Sequence, residues 1–580
     1  MEDQKIENLL NVSLGVSEGT REKSVALNTG YNREEKTWEL IVKYNGNLTE
    51  LEAKYRNLTV TELLNEYAVV TIPESEVKQF AAEDQVEFVE KPKRLYFELF
   101  SSKSYSCINP VQQGVDNPYN LFGTGVIVAV IDTGIDIVED TFRNADGTTR
   151  IMEIWDQTLP PTEENPAPYN FRIGATFTRD QINAALETGD RSRINELVPS
   201  VDAQRHGTSV AHIACGNSGV APRADIIVVK MGLAGEDSFP RTTQLMMAVD
   251  FVIRRASDQK IPVSINLSFG NNYGNHTGSS LLETYLDDIT NYWKNCICVG
   301  SGNESAGATH TSGTLVNNVV QEIEVSIGSY ETSVNLQIWK DYWDEFRIEL
   351  VTPTGRNLGV IQQTQAIQRF VYDKTEVLAY YGEPSPFSMR QEIYFDFIPT
   401  RDYINDGVWK IRLVPERILV GRFDMWLPSI AALNAGTGFL RPNSTLTFTI
   451  PSTASRVISV GAYNGATNAY ASFSGRGYVA QIGGTTIAKP ELVAPGVNVL
   501  LLANGRQRAV TGTSFATPFV TGAAALLMEW GIVRDNDPFL YGEKVKAYLI
   551  DGARKLPGFT EWPNPEVGWG ALCVRDSLPD

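Results

Sequence analysis

The sequence predicts an α/β protein built on a parallel β-sheet flanked by helices, with a small N-terminal α+β domain and an inserted all-β domain. Continuous apolar strands alternate with helical stretches over about 107–305, which is typical of a parallel sheet buried on both faces. Between about 310 and 447 the pattern changes to short strands rich in aromatic and β-branched residues. The α/β pattern resumes after 457, so the β-rich region is an insertion and not a tail.

Residues 1–100 carry a pattern of their own. Apolar stretches at 38–46, 66–74 and 86–92 indicate strands, and the spacing at 47–57 and 74–84 indicates helices. A basic patch follows at Lys91, Lys93 and Arg94, and polar residues occupy 101–106. We interpret 92–107 as a linker between two domains.

The α/β domain is predicted in two parts, 101–309 and 448–580, which flank an insertion at 310–447 with the character of a jelly roll. The predicted strands of this domain span 125–136, 225–232, 262–270, 296–303 and 457–465, and the predicted helices span 242–258 and 513–530.

Composition excludes several classes of function. The net charge of -19 argues against a nucleic-acid-binding protein and against a polybasic membrane-surface protein. No run of 18 apolar residues occurs, so no membrane-spanning helix is expected. The N-terminus lacks the pattern of a secretion signal, and we expect a cytoplasmic or spore-associated protein.

The five cysteines are scattered and odd in number, so we expect reduced thiols, with no metal and no cofactor. Cys296 and Cys298 alternate within an apolar stretch, which favours a buried strand over a metal site.

Ligands bind at the carboxyl ends of the strands in a parallel sheet, and two polar residues point to such a site. Asp132 follows a buried apolar strand, where an unpaired carboxylate is costly, although it could cap the turn at Thr133 and Gly134. His206 is one of four histidines and stands at the start of a helical stretch, where it could simply be a capping residue. His212, inside that stretch, is interpreted as structural.

Two further residues stand at similar positions. Ser514 lies at the start of a helical stretch, where free backbone N–H groups and the helix dipole stabilise negative charge. A plain N-cap serine is the alternative. Asn303 follows another strand and is either a turn residue or an amide donor for a developing oxyanion.

Together these residues supply a nucleophile, a base and a group that orients the base. Five segments resemble, in order, the motifs of the subtilisin-like (subtilase, family S8) serine proteases: VIVAVIDTGID, HGTSVAHIA, SINLSFG, VGSGNE and GTSFATPFVTGAAALL. The resemblance covers about 107–305 and 448–580.

The resemblance implies roles for individual residues. Ser514 would be the nucleophile, His206 the general base and acid, and Asp132 the group that orients the imidazole. Asn303 and the backbone N–H of Ser514 would form the oxyanion hole.

The resemblance also implies the peptide-binding segments. Ser268, Phe269 and Gly270 would pair with an extended peptide substrate, and Gly300, Ser301 and Gly302 would form one wall of the pocket for the residue before the scissile bond (P1).

The N-terminal domain is similar to subtilase propeptides, which are ferredoxin-like chaperones cut off autocatalytically. The cut would fall in 92–107, and the freed propeptide would stay bound as a partner. The segment after His206 lacks the longer calcium loop of many secreted subtilases, so no metal is expected. The architecture as a whole resembles the clostridial Csp-type germination proteases, which activate a zymogen cortex hydrolase.

Several alternatives remain. The chain could be a pseudoprotease scaffold, or a general degradative subtilase. The N-terminal domain could be an ordinary domain that is never cleaved. The insertion could bind carbohydrate or a protein, or it could pack on the catalytic domain and add rigidity.

Overall fold

The structure is a computed structural model of the 580-residue chain. It describes residues 2–55, 57–93, 96–97, 105–112, 118–232, 240–482, 484–503 and 506–579. The α-helices span Asn8–Gly15, Glu18–Arg21, Val25–Asn28, Val77–Ala81, Asn109–Gln112, Arg179–Glu187, Arg191–Leu197, His206–Cys215, Thr242–Gln259, Leu281–Ile289, Thr513–Met528 and Glu543–Asp551. Short 3₁₀ turns span Glu2–Lys5, Thr49–Ala53, Leu64–Glu66, Glu74–Glu76, Asp140–Phe142, Glu304–Ala306 and Ile430–Ala432, and a π-turn spans Glu529–Val533.

A nine-stranded sheet forms the centre of the molecule. In spatial order its strands are Ala469–Tyr470, Ile458–Asn464, Asn295–Gly300, Val263–Leu267, Ile127–Asp132, Asp225–Lys230, Ile151–Asp156 and Ala175–Thr178, with Leu492–Pro495 added beside Ile458–Asn464. The strands run parallel except for the pairs formed by Ala469–Tyr470 and Ala175–Thr178. The five predicted strands all lie in this sheet, so the predicted parallel sheet is confirmed.

Helices cover both faces of this sheet, which explains why its central strand is apolar up to its last residue. In the central strand Ile127–Asp132, Val128 and Val130 face the core that contains helices His206–Cys215 and Thr513–Met528. The alternate residues Ile127, Ala129 and Ile131 face helices Thr242–Gln259 and Leu281–Ile289. Because successive side chains point to opposite faces, a strand with two buried faces has no polar alternation.

The helix Thr513–Met528 runs through the core beneath the sheet. By length and composition the stretch Thr513–Val533 could cross a membrane, but 83% of its apolar window is buried inside the protein, as in a core helix.

The N-terminal domain contains the three predicted strands, together with Tyr31–Asn32 and Thr59–Glu62, which were not predicted. Its sheet runs Tyr31–Asn32, Thr37–Tyr44, Tyr67–Pro73 and Thr59–Glu62, with Val86–Glu90 on the other edge of Thr37–Tyr44. The four main strands follow the order fourth, first, third, second. The predicted helix at 47–57 is wrong, because only the 3₁₀ turn Thr49–Ala53 forms there.

The two lysines at the start of the predicted linker are not at the surface of the protein. Lys91 and Lys93 are buried, and Lys93 Nζ lies 2.7 Å from Glu7 Oε1 and also pairs with Glu90. Burial by itself lowers the pKa of Lys93, but the charges of these two carboxylates outweigh burial and raise the pKa above its ordinary value. Arg94 and most of 92–107 lie outside the described residues, which include only 92–93, 96–97 and 105–107 of that stretch.

The insertion is an antiparallel sandwich of two sheets around one hydrophobic core. The first sheet runs His310–Thr314, Arg422–Trp426, Val334–Asp341, Arg390–Pro399, Thr375–Tyr381 and Gln368–Tyr372, and the second runs Asn357–Ile361, Glu345–Val351, Gly407–Arg417, Gln321–Ile327 and Gly438–Phe439. The finer jelly-roll assignment stays a prediction.

Three antiparallel strand pairs complete the described strands: Tyr96–Phe97 with Phe269–Gly270, Tyr478–Ile482 with Thr485–Lys489, and Val499–Ala503 with Arg506–Val510.

One disulfide overturns the expectation of five reduced thiols. Cys107 is bonded to Cys573, although 466 residues separate them in the chain. The sequence spacing gave no sign of the pair because the fold alone brings the two α-carbons to 4.7 Å. Cys215, Cys296 and Cys298 are free and buried, and the strand predicted for the last two is confirmed as Asn295–Gly300.

Candidate active site

Asp132 and His206 meet at the carboxyl edge of the central sheet. Asp132 is the last residue of its strand and His206 the first of its helix, and both side chains are buried. His206 Nδ1 lies 2.6 Å from Asp132 Oδ1, an oxygen that also accepts the Thr133 N–H at 2.7 Å. A carboxylate on Nδ1 holds the tautomer whose Nε2 can accept a proton.

This close meeting of strand and helix requires a glycine after the histidine. A Cβ on Gly207 would lie 2.3 Å from the carbonyl oxygen of Gly134 and 3.1 Å from the Asp132 carboxylate. Any side chain at this position would therefore push the imidazole away from its carboxylate partner.

Asp202 braces the same junction and was missed by the sequence analysis. Its Oδ1 accepts from Thr133 Oγ1 and from the Arg205 N–H, both at 2.8 Å. Its Oδ2 accepts from the N–H and hydroxyl of Thr208 at 2.8 and 2.7 Å. An aspartate shortly before a helix start was the available signal, since such residues cap helices. The carboxylate ties the end of the Asp132 strand to the start of the His206 helix.

Ser514 occupies the first turn of the helix Thr513–Met528. The N-cap is Gly512, at φ 152°, so the interpretation of Ser514 as an N-cap serine is wrong. The Ser514 hydroxyl donates to the carbonyl oxygen of Ser268 at 3.1 Å. Its backbone N–H belongs to the first four of the helix, which have no intrahelical acceptor.

A buried polar ladder fixes this helix start against the neighbouring strand. Ser268 Oγ donates to the Ser514 carbonyl at 2.9 Å, and Asn266 Nδ2 donates to Ser268 Oγ at 2.8 Å. Thr521 Oγ1 donates to Asn266 Oδ1 at 3.0 Å, and Ser264 Oγ donates to the Thr521 carbonyl at 2.8 Å. Ser264, Asn266 and Ser268 share one face of the strand because they are spaced by two. The ladder holds Ser514 in register with the sheet.

The Asn303 side chain contacts the start of the helix that carries Ser514, and it does not cap the 3₁₀ turn Glu304–Ala306 that follows it. Its Oδ1 accepts from the Thr513 N–H at 3.1 Å and from the Thr513 hydroxyl at 3.3 Å. With the carbonyl oxygen of the amide occupied in this way, the Nδ2 group is the half available to donate.

A short strand from the N-terminal domain pairs with the segment that was predicted to bind the substrate. Tyr96–Phe97 pairs antiparallel with Phe269–Gly270, with Phe97 opposite Phe269 and Tyr96 opposite Gly270. In this antiparallel register Phe97 lies nearer than Tyr96 to Ser268, whose carbonyl accepts the Ser514 hydroxyl.

The other predicted wall, Gly300 to Gly302, lies beside the same site. Gly300 ends a strand of the central sheet, and Ser301 donates its N–H to the Val460 carbonyl at 2.9 Å. The backbone at Gly302 has a φ of +93°, a conformation that favours glycine. Thr449 donates its N–H to the Ser301 carbonyl at 3.1 Å, which brings a third segment against this wall.

The other three histidines lie apart from this site. His212 Nε2 contacts Ser218 Oγ at 3.2 Å, while His276 and His310 stack on Trp426 in the sandwich. Burial lowers the pKa of His276 to about 3. Within the described ranges no group of three His, Cys, Asp or Glu side chains could hold a metal ion.

Comparison with known proteins agrees with this geometry. The chain matches the Csp protease B prodomain family over residues 4–93 and the Subtilase family over residues 123–390 and 425–570. The chain belongs to the subtilase family. The predicted membership of the subtilisin-like serine proteases, with an N-terminal prodomain, is confirmed.

One solved structure resembles this subtilase over most of its length. The CspB protease of Clostridium perfringens is 35% identical with a TM-score of 0.73, covering 82% of this chain and 95% of that chain. This likeness confirms the predicted resemblance to the Csp-type group.

Curated relatives match over shorter stretches. Serine protease AprX of Bacillus subtilis is 33% identical over 174 residues, which is 26% of this chain and 34% of AprX. Tripeptidyl-peptidase 2 of Drosophila melanogaster is 26% identical over 203 residues, 33% of this chain and 13% of that protein. The chain thus spans about a third or less of the length of these curated relatives.

Proposed function

We propose that this subtilase is a serine endopeptidase in which Ser514, His206 and Asp132 form the catalytic triad. The observation that carries the proposal is the buried 2.6 Å contact between His206 Nδ1 and Asp132 Oδ1. It lies at the edge of the sheet where the Ser514 hydroxyl bonds to the Ser268 carbonyl.

The reaction follows from these positions. Ser514 Oγ forms a bond to the peptide carbonyl carbon while its proton passes to His206 Nε2. Collapse of the tetrahedral intermediate breaks the C–N bond, and His206 returns the proton to the leaving amine. Water then attacks the acyl ester by the same route. Before attack, the hydroxyl proton has to turn from the Ser268 carbonyl toward the imidazole.

The developing oxyanion would be held by Asn303 Nδ2 and the backbone N–H of Ser514. Two contacts support this role: Asn303 Oδ1 is engaged by Thr513, which presents Nδ2 as the donor, and the Ser514 N–H lies in the first helical turn. The helix dipole adds a favourable field for the negative charge.

We also propose that the protease cuts its own prodomain. The backbone pairing of Tyr96–Phe97 with Phe269–Gly270 is the pairing expected of a bound peptide substrate. Tyr96–Phe97 is paired in the cleft, and a cut after Cys107 would leave the prodomain tied to Cys573, so we propose a scissile bond after Phe97 and before Cys107, within the predicted 92–107.

The prodomain has enough contact to stay bound after the cut. Ile41, Tyr67 and Phe88 join the core formed by helices Thr242–Gln259 and Leu281–Ile289. A second apolar cluster joins the prodomain to the insertion through Leu9, Val12, Val16 and Leu27 on one side and Leu378, Tyr380, Tyr394 and Ile398 on the other.

The biological role that we propose is limited cleavage of a zymogen cortex hydrolase during spore germination. It rests on the likeness to the CspB protease and on the prodomain match. The presence of all four catalytic groups favours a working enzyme over a pseudoprotease scaffold, and a general degradative protease is the remaining alternative.

The test compares the wild type with Ser514→Ala on a denaturing gel. We expect the wild type to give two bands and the variant a single full-length band, while Ser455→Ala, an exposed serine of the same domain, behaves as the wild type. N-terminal sequencing of the larger wild-type fragment should place its first residue after Phe97 and no later than Cys107. Identical bands for wild type and Ser514→Ala would contradict autoprocessing.

A further inference from the structure

We propose that Glu304 is a positioning residue, which anchors the turn after Asn303 to the base of the insertion and thereby holds the proposed oxyanion donor in place. The proposal rests on the protease function proposed above. It gives the insertion a part in the chemistry of that site, because the support for Asn303 then comes from outside the catalytic domain.

The Glu304 carboxylate is buried, with the residue 1% exposed, and it accepts hydrogen bonds on both oxygens. Its Oε1 accepts from the Ser429 hydroxyl at 2.5 Å. Its Oε2 accepts from the Ile430 N–H and from the Thr309 hydroxyl, both at 3.1 Å. A buried charge is stable only when it is bonded in this way, so the carboxylate and the segments that it joins are held together.

The donors belong to the two segments through which the chain enters and leaves the insertion. Thr309 directly precedes the strand His310–Thr314, and residues 429–430 follow the strand Arg422–Trp426, which pairs with it. The two segments are also bonded to each other, because the Leu427 N–H donates to the Thr309 carbonyl at 2.8 Å. One carboxylate therefore ties the turn to both connections of the insertion.

Asn303 lies between this anchor and one from the catalytic domain. On its N-terminal side, the Gly302 carbonyl accepts the Gly475 N–H at 2.7 Å. On its C-terminal side, the next side chain is that of Glu304. Because oxyanion donors act at about 2.7–3.1 Å from the charge that they stabilise, a small shift of this turn weakens the contact made by Asn303 Nδ2.

A second side chain fastens the base of the insertion to the predicted peptide-binding region. Asn272, which follows the strand Phe269–Gly270, donates from Nδ2 to the Leu427 carbonyl at 3.3 Å, and this nitrogen lies 3.5 Å from Glu304 Oε2. Gln337 of the sandwich donates from Nε2 to the Asn272 carbonyl at 3.4 Å. The base of the insertion thus contacts both the segment after Phe269–Gly270 and the turn after Asn303.

The expected size of the effect follows from the geometry of catalysis. A misplacement of about 1 Å can cost about 10²-fold in rate. Loss of one oxyanion donor costs about 10²–10³-fold. Removal of the anchor leaves the Asn303 amide in the protein, so the loss should not exceed that of Asn303→Ala.

The experiment measures kcat and KM on one peptide, after each enzyme has been incubated until its prodomain is fully cut. Glu304→Ala should lower kcat by about 10–100-fold with little change in KM. Glu304→Gln should recover most of this loss. Its amide oxygen can accept from Ile430 and its Nε2 can donate to Ser429, so the anchor is kept without the charge.

The comparison that separates positioning from general stability is made in the Asn303→Ala background. If Glu304 acts through Asn303, an enzyme with both Asn303→Ala and Glu304→Ala should have the kcat of Asn303→Ala alone, because residues that act as a unit are not additive. A merely structural role would lower kcat by the same factor in both backgrounds.

Asp344→Ala is the matched control. Asp344 is a fully buried carboxylate of the same insertion, and it accepts the N–H groups of Leu419, Val420 and Gly421 at 2.7–3.0 Å. These three residues precede the strand Arg422–Trp426, so they lie at the end of the sandwich away from its base. The melting temperature of Asp344→Ala should fall, and its kcat should equal that of the wild type.

The two proposals fail in different ways. A Glu304→Ala enzyme with the kcat of the wild type, or a loss that persists in full in the Asn303→Ala background, would overturn the role of Glu304 and leave the protease function intact. A wild type that cleaves the peptide no faster than Ser514→Ala would overturn both.

A second variant covers the case in which Glu304→Ala does not fold. Ser429→Ala removes one of the donors to Glu304 and should give a smaller loss of kcat, which disappears in the Asn303→Ala background. An unchanged kcat in Ser429→Ala would then overturn the proposal.

Discussion

Two of the strands that are buried on both faces use their polar residues in opposite ways. The central strand Ile127–Asp132 is apolar up to its last residue, which is its one carboxylate. The sandwich strand Arg390–Pro399 alternates: Ile393, Phe395 and Phe397 face the sandwich core, while Glu392 and Asp396 face the prodomain.

The difference reflects what covers each face. Helices of the same domain cover both faces of the central strand Ile127–Asp132, and all its side chains before Asp132 are apolar. The prodomain covers the outer face of the sandwich strand, and we propose that it is cut from the rest of the chain. A face that has to be stable in water when uncovered carries polar groups among its apolar ones.

Keeping Glu392 and Asp396 ionised is unfavourable while the prodomain covers this face of the strand. Burial, together with the charge of the nearby Glu7, raises the pKa of Glu392 to about 7, whereas the hydrogen bond from Asn8 Nδ2, at 3.2 Å, and the charge of Lys93 oppose this change. Burial likewise raises the pKa of Asp396 to about 7, against the opposing effects of Ser24 and Lys91. The Asp132 carboxylate, by contrast, contacts the His206 imidazole and accepts a hydrogen bond from the Thr133 N–H.

The largest effect is expected at the end of the central strand Ile127–Asp132. Asp132→Asn should lower kcat by about 10⁴-fold, the loss typical of a triad aspartate, because the amide favours the wrong imidazole tautomer. So slow a variant should also cut its own prodomain far more slowly and run mainly as one full-length band. Peptide hydrolysis and a denaturing gel measure the two effects, and Asp140→Asn, whose side chain is 91% exposed, is the control. An Asp132→Asn variant that is fully active and fully processed would contradict the role proposed for this carboxylate.

A smaller loss of kcat is expected at Asn303, the proposed oxyanion donor. Asn303→Ala should reduce kcat by about 10²–10³-fold with little change in KM, the loss typical of one oxyanion donor in this family. Steady-state kinetics on a single peptide, with a melting curve to show that the variant is folded, would test this. An increase in KM alone would assign Asn303 to substrate binding.

The smallest effect, on prodomain binding alone, is expected at the sandwich strand. Because the pKa of Glu392 is raised on burial, its contribution to the contact is fully present below the ordinary pKa of about 4.5 and is lost as pH rises through about 7. The processed prodomain should therefore dissociate more readily at pH 8 than at pH 5. The charged groups that face Glu392 are Glu7, Glu90 and Lys93.

The variant Glu392→Gln should remove part of this pH dependence, which amounts to at most about a tenfold change in the dissociation constant for each pH unit. Its kcat should equal that of the wild type. Dissociation measured at pH 5, 6.5 and 8 would show the slope, and a wild type without any slope over this range would contradict the origin proposed for these two carboxylates.

Local patterns were sufficient for much of this molecule. The five apolar strands of the central sheet could be predicted because burial on both faces leaves marks within a few residues. The assignment of Asp132, His206 and Ser514 as a triad came from the resemblance of their motifs to those of the subtilases, and it stays a prediction. Near the N-terminus the same approach predicted a helix at 47–57 where only a short 3₁₀ turn forms, since helical spacing alone does not decide between the two.

The remaining features could not be predicted because each joins residues that are far apart in the chain. The disulfide between Cys107 and Cys573, the bracing by Asp202 and the burial of Lys91 and Lys93 depend on how separate elements pack, and no local period records this. The sequence alone was enough to predict the family and the sheet that carries the candidate site. The tertiary structure decided how the site is braced and which face of the insertion the prodomain covers, because these properties arise only from contacts between distant segments.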